Sequence, residues 1–192
     1  LHLQSIIDAT QLWCQLFSEP ESGSDLGSLR TTAEPDGDGW VVNGQKVWCS
    51  GGRYSNWGIL MARTDPNLPK HRGISFFLID MQSDGIETRP LRQMTGEAEF
   101  DEVFFTDVSL PQTALLGPLN GGWHVGMDIL TKERGSIGAG AITMQRRLDS
   151  LQSLANKELS HDKRQQLVQL LIKGKSYQYL GQRQGPAASV SS

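Results

Sequence analysis

The hydrophobic period of this chain changes once, near residue 119, and that change limits what the chain can fold into. Between residues 11 and 118 apolar side chains come in short runs, several of them alternating, divided by Gly, Pro, Asn and Asp. A period of two places successive side chains on opposite faces of a strand. GWVVNGQKVWCS, residues 39–50, alternates on both sides of Asn43-Gly44 and predicts a hairpin turning at that pair. Trp57 to Thr64, ISFFLIDM at 74–81, IETRPL at 86–91 and EFDEVFFTDVSLP at 99–111 read as further strands. Strands of this length and spacing predict an antiparallel barrel or sandwich.

From Trp123 onward the period is helical. Met127, Leu130, Ile137, Ala141, Met144, Leu148 and Leu151 recur three, four or seven apart, which is one face of a long amphipathic helix. Gly135, Gly138 and Gly140 interrupt it, each costing about 1 kcal/mol relative to Ala, as a close neighbour or plain packing would require. A second helix is expected at roughly 163–182, with Leu167, Leu170, Leu171 and Leu180 as its stripe. Leu3, Ile6 and Ile7 have the spacing of a helix end. The expected fold class is therefore α+β: an antiparallel β-barrel or sandwich followed by long α-helices of an incomplete bundle. A chain that starts at Leu1 and ends in GPAASVSS also reads as a fragment of something longer.

The 192 residues carry a formal net charge of −3, which gives no electrostatic reason to expect nucleic acid or an acidic membrane as partner. No apolar run approaches the roughly 18 residues of a membrane span. Cys14 and Cys49 form neither a CxxC pair nor a disulfide framework, and read as reduced thiols of a cytoplasmic protein. His2, His71, His124 and His161 show no ligand spacing, so no metal is expected. No P-loop, dinucleotide fingerprint or nucleophile elbow is present.

Three stretches carry candidate chemistry. In WCQLFSEPESGSD, residues 13–25, a strand breaks into a small-residue loop. Ser18 offers a hydroxyl there, and Gly23-Ser24 allows a close backbone approach, although an ordinary turn fits the same residues. In VWCSGG, Trp48 precedes Cys49, Ser50 and two glycines, a setting better suited to stacking on a flat ligand than to a core. Lys132-Glu133-Arg134 lies on the long helix, where a solvated face is the ordinary reading.

Together these motifs resemble the acyl-CoA dehydrogenase family. WCQLFSEPESGSD, GWVVNGQKVWCSGG, GISFFLIDM, FDEVFFTDVSLP and GW-x-V-x-M-x-x-L-x-x-ER are similar to the family's middle β-domain and the helix after it, over about residues 11–150. The resemblance implies an end of a truncated helical domain at 1–10, a middle β-domain binding FAD and acyl-CoA at 11–119, and a partial C-terminal helical domain at 120–192. It implies FAD along Gln15, Leu16, Phe17 and Ser18, with Ser18 on the pyrimidine edge. Trp48 would pack on the ring, beside Cys49, and Ser50 would bond near flavin N5. Gly23 and Ser24 would meet cofactor and acyl-CoA, and Arg134 would sit near the CoA arm.

The implied reaction is α,β-dehydrogenation, in which a carboxylate takes the α-proton while a hydride leaves the β-carbon for N5. In many members the base is a Glu late in the C-terminal domain. In a minority it is a Glu directly before the helix arginine, the position Glu133 occupies. The implied partners are an acyl-CoA and an electron-transfer flavoprotein-type acceptor, with a homodimer or homotetramer as the assembly. The segment HDKRQQLVQLLIKGKSYQYLGQRQGPAASV departs from the pattern that commonly follows the long helix and resembles a subgroup of bacterial catabolic members. An acyl-CoA oxidase or flavin monooxygenase of the same fold, and a non-catalytic β module, are the alternatives.

Overall fold

The computed structural model describes residues 2–136, 138–154 and 159–183, without the side chains of 134–142, 154, 178 and 180–183. The chain divides into two compact units, residues 1–127 and 128–192.

The first unit opens with a short helix, α1 (Leu3–Ile7), and continues as seven strands: β1 (Trp13–Leu16), β2 (Thr32–Asp36), β3 (Gly39–Ser50), β4 (Trp57–Arg63), β5 (Ile74–Asp80), β6 (Ile86–Leu91) and β7 (Phe100–Pro111). They form one curled sheet in the order β1-β4-β2-β3-β7-β6, with β5 on the other side of β4. Most pairings are antiparallel, but β1 runs parallel to β4 through Trp13↔Trp57 to Leu16↔Leu60, and β2 touches β4 in parallel at Thr32↔Arg63. β1 and β2 thus follow one another along one side of β4. Leu16, Val42, Leu60, Phe77, Ile79, Val103 and Val108 meet in the core that the sheet encloses. Cys14 and Cys49 lie in the same cluster as free thiols, and burial pushes them up to about 11 and about 12 respectively.

The hairpin expected at Asn43-Gly44 does not form. Residues 39–50 are one long strand, and the turn lies earlier, between β2 and β3, where Asp36 pairs with Gly39 and Gly37 takes φ +54°. The Asn-Gly signal is local, whereas the pairing of β3 with β7 spans the whole length from Gly39↔Pro111 to Ser50↔Phe100. Asn43-Gly44 instead marks one of two register shifts in that ladder. There β7 carries an extra residue, Asp107, in the left-handed region at φ +50°. The Asn43 carboxamide satisfies it: Oδ1 accepts from the Asp107 amide at 2.9 Å and Nδ2 donates to its carboxylate at 3.0 Å. Gly44 has φ +148°, and a Cβ there would lie 2.7 Å from Thr31 Cα. No other residue fits that approach.

The helical expectation is met on both sides of residue 137. α2 (Gly122–Ser136), α3 (Gly138–Leu154) and α4 (His161–Arg183) are the helices, and Ile137 lies outside the described residues. The first turn of α2 belongs to the β unit. Gly122 abuts the backbone of Ser75, and a network of Thr64, Ser75 and Asn120 holds the turn before it, with Thr64 Oγ1 2.7 Å from Ser75 Oγ and donating to Asn120 Oδ1 at 2.6 Å. In the second unit α3 packs on α4 where Leu148 fits over Gly174, while Met144, Leu151, Val168, Leu170 and Ile172 remain exposed. Among the described residues no helix is long and apolar enough to cross a membrane.

Gly44→Ala is expected to destabilise the β unit by about 2 kcal/mol through backbone strain at that bend. A urea titration checks it, and an unchanged midpoint would show that β3 bends elsewhere.

Candidate functional site

At the end of β1 the chain leaves the sheet through Phe17, Ser18 and Glu19. Phe17 is buried edge-on to Phe76, with ring centroids 5.8 Å apart. Glu19 is buried as well, which an unpaired carboxylate cannot sustain. Its partner is Lys46 of β3, a wholly buried side chain whose Nζ lies 2.8 Å from Glu19 Oε1. Lys46 Nζ also donates to the Phe17 carbonyl at 3.0 Å. The Glu19 carboxylate further accepts the amides of Arg30 at 2.6 Å and Thr31 at 2.9 Å. One ion pair therefore fixes both ends of the loop, residues 17–19 and 30–31, to the strand that carries Trp48. The backbone adds a link, because the Val47 amide donates to the Ser18 carbonyl at 2.9 Å.

Burial alone would raise the Glu19 carboxyl. The Lys46 ammonium and the hydrogen bonds from Thr31 and Arg30 outweigh it and hold the group below its ordinary value. Lys46 is pulled down by desolvation, with Glu19 opposing.

The second half of the site comes from the second register shift, between Lys46↔Val103 and Cys49↔Asp101. Here the extra residue is on β3. It is Trp48, held in the left-handed conformation at φ +61°. A bulge re-aims a side chain, and this one turns a large indole outward: Trp48 is 57% exposed, resting edge-on to Phe100 at 5.7 Å. Ser50 is exposed on the same side, and Cys49 between them points into the core. After Ser50 the chain turns through Gly51 at φ +64°, with open space where a Cβ would lie. A second buried carboxylate anchors that turn. Asp101 accepts the Arg53 amide at 3.0 Å and lies 3.1 Å from Arg53 Nε, while the Arg53 guanidinium also donates to the Ala98 carbonyl.

The structure thus brings Ser18, Trp48 and Ser50 onto adjacent, braced backbone. Leu16 and Cys49 reach this strip only through their main chain, since both side chains lie in the core. Gln15 and Ser18 are half-buried. Gly23 and Ser24 sit on the exposed part of the loop, where a Cβ added to Gly23 would meet open space. That loop is tied down behind them: Arg63 donates to the carbonyls of Gly27 at 2.7 Å and Leu29 at 3.1 Å, and Lys70 pairs with Asp25 at 2.7 Å. Glu133 is an exposed side chain of α2, in the other compact unit, and the side chain of Arg134 lies outside the described residues. Among the described residues no group of three His, Cys, Asp or Glu side chains is arranged to hold a metal.

Glu19, Lys46, Arg53 and Asp101 escaped sequence reasoning. A lysine within an alternating strand and a glutamate in a Ser-Glu-Pro turn both read as wet residues. The available signal is parity, since Lys46 follows Trp40 and Val42 at even spacing on the inward face.

A family model described as acyl-CoA dehydrogenase, middle domain, matches residues 14–108. Acyl-CoA dehydrogenase FadE34 of Mycobacterium tuberculosis is 44% identical over 161 residues, covering 84% of this chain and 23% of that protein. Acyl-CoA dehydrogenase IpdE1 of the same organism is 45% identical over 161 residues, covering 83% of this chain and 42% of that protein. Among solved structures, the Tcur3481-Tcur3483 steroid ACAD superposes with a TM-score of 0.79 at 26% identity, covering 95% of this chain and 48% of that one. The chain spans less than half the length of each of these relatives.

Glu19→Gln is expected to cost about 3 kcal/mol near neutral pH, because it strands a buried ammonium. A carboxyl held below its ordinary value of 4.5 contributes stability that is present above that value and lost as pH falls through the folded-state value. The gap between the two proteins should therefore be constant at neutral pH and close below pH 4.5 in acid-titrated melts. A gap that persists in strong acid would remove the ion pair as its cause.

Proposed function

The chain belongs to the acyl-CoA dehydrogenase family, and from that premise we propose that it is part of an FAD-dependent acyl-CoA dehydrogenase whose cofactor lies against Ser18, Trp48 and Ser50. The observation that carries this reading is the outward Trp48. A core indole gains by burial, yet this one is held exposed by a strained backbone, between two ion pairs, each with a buried carboxylate, that fix the chain on either side. Strain that the surroundings over-determine is a mark of a ligand surface. The donor set fits a flavin: an indole face for a planar ring, a half-buried hydroxyl at Ser18, an exposed hydroxyl at Ser50 and an unobstructed Gly51.

Bound there, FAD supplies the hydride acceptor for the β-hydrogen of the substrate. Trp48 would pack on the ring, and the Ser18 and Ser50 hydroxyls would hold its pyrimidine edge and the region of N5. The main chain of Gln15, Leu16, Phe17 and Cys49 completes the wall. Gly23 and Ser24 let the acyl-CoA approach backbone, and Arg134 attracts its charged arm. Glu133 removes the α-proton, a step that requires an ionised carboxylate and a thioester carbonyl polarised by hydrogen bonds. A flavoprotein-type acceptor would take the electrons, and the working enzyme would be a cytoplasmic homodimer or homotetramer.

In the full-length protein, Trp48→Ala should weaken FAD retention about tenfold while the melting of the β unit changes little, since an exposed side chain contributes little to folding. Flavin absorbance after gel filtration reads the outcome, and undiminished flavin content refutes the placement. Glu133→Gln should abolish flavin bleaching by acyl-CoA at full FAD occupancy. Complete bleaching in that variant assigns the base elsewhere.

A further inference from the structure

Lys46 is a fully buried side chain, and it does more than neutralise Glu19. Its Nζ donates to the Phe17 carbonyl at 3.0 Å. That oxygen and the Ser18 N–H are opposite ends of one planar, conjugated peptide unit. A cation held on the oxygen in a low-dielectric interior draws electron density through the unit and makes the N–H a stronger donor. The Ser18 carbonyl is fixed in turn by the Val47 amide at 2.9 Å, so the residue is gripped on both sides. Among the described residues, neither the Ser18 N–H nor its hydroxyl has a hydrogen-bond partner.

We propose that Lys46 is a positioning residue for the cofactor, holding and polarising the Phe17–Ser18 peptide so that Ser18 presents two donors to the pyrimidine edge of the flavin. This rests on the flavin reading above. Negative charge collects on that edge when a flavin is reduced, so a polarised donor there favours the reduced cofactor over the oxidised one. The buried pair then has two separable effects. Charge balance between Glu19 and Lys46 stabilises the fold, and the Lys46–Phe17 contact tunes the cofactor.

The separation can be tested in the full-length protein with Glu19→Gln combined with Lys46→Met, which removes both charges together. Replacing a buried ion pair by uncharged groups of similar volume is often neutral for stability, so the apo-protein should melt close to wild type. The reduced flavin should lose about tenfold more affinity than the oxidised one, a fall of about 30 mV in the two-electron potential. Glu19→Gln with Lys46→Gln, whose amide can donate to the Phe17 carbonyl, should recover part of that fall. A purely structural role does not move the potential of a folded protein. A wild-type potential in whichever double variant folds overturns the proposal. Failure of the unmutated protein to retain FAD overturns the flavin reading instead, so the two failures are distinct.

Discussion

A lysine with no exposed surface is the constraint on which the rest of the β unit depends. Moving an ammonium out of water costs several kcal/mol even after relaxation, and the cost is offset only by an opposite charge and hydrogen bonds in good geometry. Lys46 finds these in Glu19 and the Phe17 carbonyl. Glu19 in turn accepts the amides of Arg30 and Thr31. The result is directional: hydrophobic contacts could accept several loop conformations between β1 and β2, whereas this set of hydrogen bonds accepts one. At the far end of β3 the buried Asp101 carboxylate faces the part-exposed Arg53, whose amide it accepts.

Both ends of the candidate strip are therefore held by charge, and its middle is held by register. The long ladder between β3 and β7 slips twice, once with the extra residue on each strand. The first slip is absorbed by an asparagine–aspartate pair and lets β3 bend past Thr31. The second places Trp48 outside while Cys49 stays inside. Without the second slip, strict alternation would set the indole and the thiol on faces they do not occupy.

Much of this was legible in the sequence. Trp57–Arg63, Ile74–Asp80, Ile86–Leu91 and Phe100–Pro111 form strands where alternation or an apolar run predicts them, because most of their inward residues are apolar, Ser75 and Asp101 being the buried polar exceptions. β2 was missed for the opposite reason: in TAEPD only Ala33 is buried, and pairing with β3 rather than composition makes it a strand. The turn at Asn43-Gly44 was misplaced because local turn chemistry lost to a ladder with a distant strand. Ser18, Trp48 and Ser50 could be picked out as chemistry-bearing, but their adjacency depends on Lys46 and Glu19, which are 27 residues apart in sequence and look solvated there.

The two buried thiols have a practical consequence. A thiol pushed to about 11 or about 12 is almost wholly protonated at neutral pH, and both sulfurs are walled off by the core. The folded β unit is thus silent toward alkylating reagents. Any labelling that does occur reports transient opening of the sheet, and a single cysteine introduced on the surface can carry a spectroscopic probe without removing the native pair.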